Sequence, residues 1–408
     1  MANSLQRQLR DFDWILLLLA ILLSMAGLLS IYSTGLLQEG LAGHNYFIRQ
    51  LIWFIIGIAL TIGVAMIPKK VVFNLAYVVY GIGIIALLAP FLVNDSTGTH
   101  RWVRLGGFNF QPSEYMKVIV VVALAKYFSD HHRQLQQFKQ LFPPFIMVMI
   151  PTGIVILQPD LGTALVYIAT LIPILFWAGI RPLYFYLLLA PIVSMMAAFN
   201  IYTFFAWMAI LGLVLYLGRT KLWFAGFNFI LNVFLGGLTN VLWILLKPYQ
   251  QQRISSLFNL DVDPLGAGYQ LIQSMTAFGS GGLLGKGLGQ GTQTHLKFLP
   301  EQHTDFIMTV IGEEFGFITV AAVLLFFMLF IFRLISISFA ARTRYTSLVL
   351  FGTAAVFLFH MFVNLAMIVG LMPVTGIPLP FMSYGGSFML ACFLLLGIAQ
   401  NSLSGNRV

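Results

Sequence analysis

The sequence predicts an all-α polytopic membrane protein, a helical bundle of about twelve transmembrane helices, and three observations carry that prediction. Of its 408 residues 59% are apolar and only 9% charged, against about a quarter charged in an ordinary soluble domain. Apolar runs of roughly twenty residues, each long enough to cross a hydrocarbon core about 30 Å thick as a helix, recur from end to end. No stretch alternates apolar with polar residues as a membrane β-barrel strand would, and in lipid a helix satisfies its own backbone groups.

The expected spans are 14–34, 50–67, 71–93, 112–128, 143–158, 160–179, 182–199, 201–217, 222–246, 305–332, 346–370 and 385–401. The first run, beginning at Trp14, has no small-residue cleavage site behind it and is expected to stay as a span. Cys392 is the only cysteine, which excludes an internal disulfide and a cysteine-based metal cluster. With the N-terminus in the cytoplasm, fourteen of the 22 basic residues lie inside; Arg49, Arg101, Arg104, Lys117, Lys247, Arg253, Lys286 and Lys297 remain outside or at outer helix ends. That bias predicts both termini cytoplasmic and accounts for the net charge of +9 without nucleic acid. We treat residues 1–408 as a single domain.

Two outer segments stand out, 94–111 and the long extracytoplasmic loop 247–304. A loop of that length in a compact bundle is usually functional. The first segment carries Arg101, Trp102 and Arg104, then Pro112 at a helix start, Glu114 and Lys117. A helix N-terminus beside cations suits an anion such as phosphate; equally, the arginines can anchor at headgroups and Glu114 can pair with Lys117 three residues on. A lysine one turn into an apolar layer is expensive, which favours a functional reading.

In the long loop, Asp263 precedes Pro264, Gly266 and Gly268, a rigid turn that would hold a carboxylate for acid–base work or serve only as an Asx turn or helix cap. The glycine-rich run from Gly279 to Gly291 fits neither phosphate-loop pattern, since Lys286 is followed by Gly287 rather than Ser or Thr. Neither nucleotide nor haem binding is expected; close backbone approach is the better use for so many glycines. Glu301, His303 and Asp305 alternate before the tenth span, and with Asp263 they are the weak candidates for a divalent cation such as Mg or Mn, if they converge. Glu313 and Glu314, deeper in that span, need a polar cavity or a partner such as Lys117. Asp160 reads as an N-cap, and Ser383 and Tyr384 as exposed residues of a Pro/Gly-rich loop that could line a site.

Five segments in order, QPSEYMK at 111–117, QPDLGTAL at 158–165, DPLGAGYQLIQS at 263–274, FLPEQHTDFI at 298–307 and PVTGIPLPFMSYGGS at 373–387, resemble the SEDS family of shape, elongation, division and sporulation proteins, nearer its elongation branch than its division branch. The resemblance implies a bacterial cytoplasmic-membrane enzyme that polymerises lipid II into glycan strands on the outer face. It assigns the essential carboxylate to Asp263, cationic positions to Arg101, Arg104 and Lys117, and a deep glutamate to Glu314. It implies as partners the undecaprenyl-linked strand, a class B penicillin-binding protein, the rod-shape elongation complex and membrane lipids. Family members usually have ten spans, so 182–246 reads as an insertion of about two helices. The alternative is a flippase for lipid-linked precursor, since buried charge among helices also marks transport paths, but a transporter would gather its polar residues near mid-bilayer.

Overall fold

In a computed structural model the described residues are 11–36, 41–92, 100–105, 108–131, 138–246, 251–252, 255, 267–295 and 301–404. Asp263 and Lys297 lie outside them. Twelve long helices occupy the expected positions: α1 (Trp14–Leu36), α2 (Leu41–Ala65), α3 (Lys69–Leu88), α4 (Pro112–Asp130), α5 (Phe142–Leu157), α6 (Leu161–Trp177), α7 (Pro182–Ala197), α8 (Ile201–Leu217), α9 (Leu222–Leu245), α12 (Ile307–Phe339), α13 (Arg344–Ile368) and α14 (Gly386–Leu403). Between α9 and α12 lie α10 (Ala267–Ser280) and the single turn α11 (Thr292–His295), and a hairpin of β1 (Val103–Leu105) with β2 (Phe108–Phe110) precedes α4.

Seven of the helices are long and apolar enough to cross a membrane by length and composition. Helices α5 to α8 are apolar but run only 16 or 17 residues, about 24–26 Å at 1.5 Å per residue. Helix α4 is long enough but carries Glu114, Lys117, Lys126 and Asp130.

Local signals set several boundaries. Pro112 opens α4, where a missing N–H costs nothing, and the Asp160 carboxylate caps α6 by accepting from the Thr163 amide. One large apolar core joins α1, α2, α12, α13 and α14, and a second joins α3 to α6 with the start of α13. Helices α7, α8 and α9 pack on a small core of their own around Leu187, Leu211 and Phe224. Inside that trio the Trp207 indole donates to the Ser194 hydroxyl, which donates to Asn232, both at 2.7 Å.

The two ends of the bundle differ in kind. At one end, Arg333 donates twice to the buried Asp13 carboxylate, at 2.7 and 3.0 Å, while Gln400 brackets the Asp13 backbone. This ties α1, α12 and α14 together. At the other end the helices are joined by the hairpin, the glycine-rich loop and the Pro/Gly-rich loop 369–385, and the candidate site is built there.

Candidate active site

Helix α4 enters the bundle behind Pro112, and its first two turns carry Glu114 and Lys117 inward. Both are about 5% exposed, and the ammonium stands 2.7 Å from the carboxylate. A second partner comes from α13: His360 Nε2 is 3.2 Å from Lys117 Nζ. The other ring nitrogen, Nδ1, faces the Pro378 carbonyl at 3.1 Å. A carbonyl only accepts, so Nδ1 carries the proton and Nε2 takes a hydrogen bond from the ammonium. The Phe388 ring lies 5.3 Å from the same ammonium. Beside this centre is a cavity of about 10 Å³ lined by Glu114, Lys117, His360, Phe388 and Cys392, room for about one water.

A polar layer lies over the centre. Asp160 accepts from Thr163 at its amide and hydroxyl and from Gln111 Nε2 at 3.2 Å. The Arg101 guanidinium reaches the carbonyls of Gln158 and Pro159 just before that aspartate. Ser387 at the start of α14 donates to Asn109 and accepts from the Gln111 amide, fastening the hairpin to the bundle.

The three expected cations are therefore not equivalent. Lys117 is buried, Arg101 is half-buried and held on backbone carbonyls, and Arg104 is exposed on β1 opposite Asn109. Arg104 stands in β1 and Arg101 in irregular chain before it, so the two do not share the face that a helix would give them. Trp102 is 38% exposed between them.

The two deep glutamates find partners other than Lys117. Glu313 accepts five hydrogen bonds, from Lys286 Nζ, the Thr292 hydroxyl and the amides of Thr292, Gln293 and Thr294. Ser33 of α1 donates to Glu314 at 2.5 Å. Helix α12 breaks immediately afterwards at Gly316, with φ +76° and ψ −179°, and the glycine-rich loop docks into the break. There the amides of Lys286 and Gly287 donate to the carbonyls of Glu313 and Glu314, and those of Phe317 and Ile318 to Gly282 and Leu283. A Cβ at Gly281 would stand 1.9 Å from the Gly312 carbonyl oxygen, so no larger residue fits.

Ser383 is not exposed. Only 1% accessible, its hydroxyl accepts from the Leu379 amide and donates to the Thr304 carbonyl, so it pins the loop rather than lining a surface. Tyr384 is half-buried beside Tyr46 and His303, with the exposed Arg49 within hydrogen-bonding reach of its hydroxyl; burial raises its pKa while Arg49 opposes that. Glu301 is exposed, with φ +51°, and binds Thr304. His303 stacks on Tyr46 at 5.0 Å, and the backbone carbonyl of Asp305 receives the Asn364 amide. Among the described residues no three His, Cys, Asp or Glu side chains group to hold a metal ion, so Glu301, His303 and Asp305 do not converge.

His360 was absent from the sequence reading, although an ionisable residue inside an apolar span is itself a signal. Asp160 has a second role beyond its cap, through Gln111, that no local pattern announces.

Comparison with known proteins places the whole chain. A model of the FtsW, RodA and SpoVE family, described as cell cycle protein, matches residues 13–208 and 189–407. A peptidoglycan glycosyltransferase RodA from Treponema pallidum is 31% identical over 429 residues, covering 97% of this chain and 98% of its own. A probable peptidoglycan glycosyltransferase FtsW from a Geobacter species is 33% identical over 404 residues, covering 97% of each. Among solved structures, a peptidoglycan synthase complex described as coordinating polymerization and crosslinking contains a chain that superposes with a TM-score of 0.71 at 26% identity, covering 97% of this chain and 98% of that one.

Proposed function

The chain belongs to the SEDS family, the FtsW, RodA and SpoVE cell cycle proteins, and from that premise we propose that it is a peptidoglycan glycosyltransferase polymerising lipid II. The observation that supports this best is the Glu114–Lys117–His360 centre beneath Asp160 and Arg101, at the end of the bundle where the polar loops gather. In our reading that end faces outward from the cytoplasmic membrane and both termini face the cytoplasm.

The reaction joins two lipid-linked disaccharides. The 4-hydroxyl of the acceptor attacks the anomeric carbon of the donor, the C–O bond to undecaprenyl pyrophosphate breaks, and configuration inverts from α to β. An alcohol needs a base as the new bond forms, and a positioned carboxylate contributes roughly a hundred- to ten-thousandfold; we assign this role to Asp263. The departing pyrophosphate needs positive charge more than a proton donor. Arg104 and Arg101 supply it at the surface, and Lys117 from below, its ammonium held in place by Glu114 and His360. Glu314 positions the glycine-rich loop through α12, Trp102 and Tyr384 border the surface, and no step is routed through a metal.

A role in elongation and rod shape follows from the motif resemblance, with a class B penicillin-binding protein as the transpeptidase partner. The flippase alternative would require a sugar to pass the charged centre, where the adjoining cavity is about 10 Å³.

Purified protein given lipid II, with and without a class B partner, should make glycan strands, and Asp263→Asn should bind lipid II yet make none. Wild-type polymerisation by that variant would remove Asp263 as base; lipid II translocation without strand synthesis by the wild type would replace the enzyme reading with the transport one.

A further inference from the structure

A large apolar cavity lies at the opposite end from the candidate active site. It measures about 480 Å³ and fills the seam between α5 and α6 of the main bundle and α7 and α9 of the three-helix unit. Among the described residues its lining is aliphatic and aromatic almost throughout, with only Tyr184 and Asn228 bearing polar side-chain atoms. Asn228 already donates to the Phe224 carbonyl in its own helix.

Its position follows from contacts on both sides. Trp177, at the end of α6, donates to Ser347 and stacks on Phe351 near the start of α13, and Arg344 reaches the Ala178 carbonyl. The cavity reaches from Leu141 and Ile180 at this end toward mid-helix at Ile192 and Leu235. The back wall, Leu171, Leu175 and Leu187, is buried, whereas Phe142, Phe145, Ile192 and Phe227 on the rim are 39–63% exposed. The hollow therefore opens sideways, where lipid lies in a membrane-spanning bundle.

An apolar hollow of this kind offers water few hydrogen-bond partners, Tyr184 and Asn228 alone among the described lining, and so suits hydrocarbon better than water. The charge at its mouth selects the headgroup. Arg181, Arg219 and Lys221 are all exposed at the turns that begin α7 and α9. From residue 140 to residue 246 the sole carboxylate is Asp160, at the far end of α6. Basic residues between membrane helices at a bilayer surface bind anionic lipid heads.

We propose that this seam is a binding site for one anionic phospholipid, whose acyl chain fills the cavity while its phosphate lies among Arg181, Arg219 and Lys221. The lipid completes the packing between the three-helix unit and the bundle. It is distinct from the substrate, whose chemistry lies at the other end.

The test uses the full chain, purified and analysed by native mass spectrometry after incubation with phosphatidylglycerol or phosphatidylcholine. Wild type should retain one phospholipid, with phosphatidylglycerol held roughly tenfold more tightly, as a few surface cations allow. The triple variant Arg181→Gln, Arg219→Gln, Lys221→Gln should lose that preference while still retaining a lipid. The filled variant Leu188→Trp with Leu231→Phe should retain none, with its helical circular dichroism and its strand synthesis unchanged. Equal retention by the filled and wild-type proteins, an unaltered headgroup preference in the triple variant, or a polyprenyl-linked sugar as the retained molecule would each overturn the proposal. The triple variant changes only exposed residues, so it decides the matter even if the filled variant misfolds.

Discussion

Glu313 and Glu114 are both buried carboxylates with a lysine ammonium at 2.7 Å, yet their surroundings divide the work between them. Glu313 receives five hydrogen bonds, and its lysine is about a quarter exposed. Among the described residues Glu114 meets a single donor group, Lys117, which is as buried as it is and is shared with an imidazole. A carboxylate so fully bonded has no lone pair to spare for a substrate, so the Glu313 pair is a clasp. The Glu114 pair keeps a charge in a dry place beside a small cavity, an arrangement whose cost needs a functional return.

The clasp should show the largest loss of stability. Glu313→Ala strands the Lys286 charge and three amides, and breaking a buried pair from one side typically costs about 3–5 kcal/mol. Thermal unfolding in detergent should show that loss, with residual folded protein still polymerising. Normal stability with abolished synthesis would reverse the assignment and make Glu313 the chemical carboxylate.

At the other pair the balance should tip toward activity. Lys117→Met should lower strand synthesis roughly a hundred- to thousandfold, the usual cost of removing one electrostatic stabiliser. The double variant Glu114→Gln, Lys117→Met removes both charges and should recover most of the lost stability, since a neutral buried pair is tolerated, but none of the activity. Recovery of both in steady-state polymerisation would show the pair to be structural.

His360 refines the contrast. His360→Phe withdraws the acceptor that fixes the ammonium and should reduce kcat about tenfold with little effect on KM, while His360→Gln, which can still accept, should restore most of it; an orientation lost at one hydrogen bond is worth about 1–3 kcal/mol. Equal rates in the two variants would leave the imidazole with a packing role.

The helices were legible because a twenty-residue apolar run in lipid has one solution, and their ends because Pro112 and Asp160 act within a turn of themselves. The site was only half legible. Glu114 with Lys117 is a spacing of three, visible in any reading, but His360 comes from 243 residues away and the Glu313 clasp depends on a loop docking into the break at Gly316. Ser383 misled for a related reason: a Pro/Gly-rich stretch reads as surface, whereas packing against Thr304 buried it. Arg101 and Arg104 hinged on whether the chain was helical, and it is not: Arg104 pairs in the hairpin and Arg101 lies in irregular chain before it.

The smallest expected effect concerns a third titratable group at the same end, His303, whose surroundings are chiefly aromatic rings rather than the donors of Glu313 or the ion pair of Lys117. Its ring stacks on Tyr46 and meets Tyr384 edge-on, at 5.0 and 5.5 Å. Burial lowers its pKa below 6.5, and the Glu301 carboxylate pulls the other way without overcoming it. A histidine held neutral by the fold binds its proton more readily when unfolded. Its contribution to stability is therefore complete above pH 6.5 and declines as pH falls from 6.5 toward the folded-state value. The melting temperature of the wild type should fall modestly over that window, and His303→Gln, which cannot titrate, should flatten that part of the curve. Parallel curves for the two proteins from pH 8 to pH 5 would assign the acid sensitivity to the buried carboxylates instead, and would mean that the aromatic pair holds the imidazolium as readily as the imidazole.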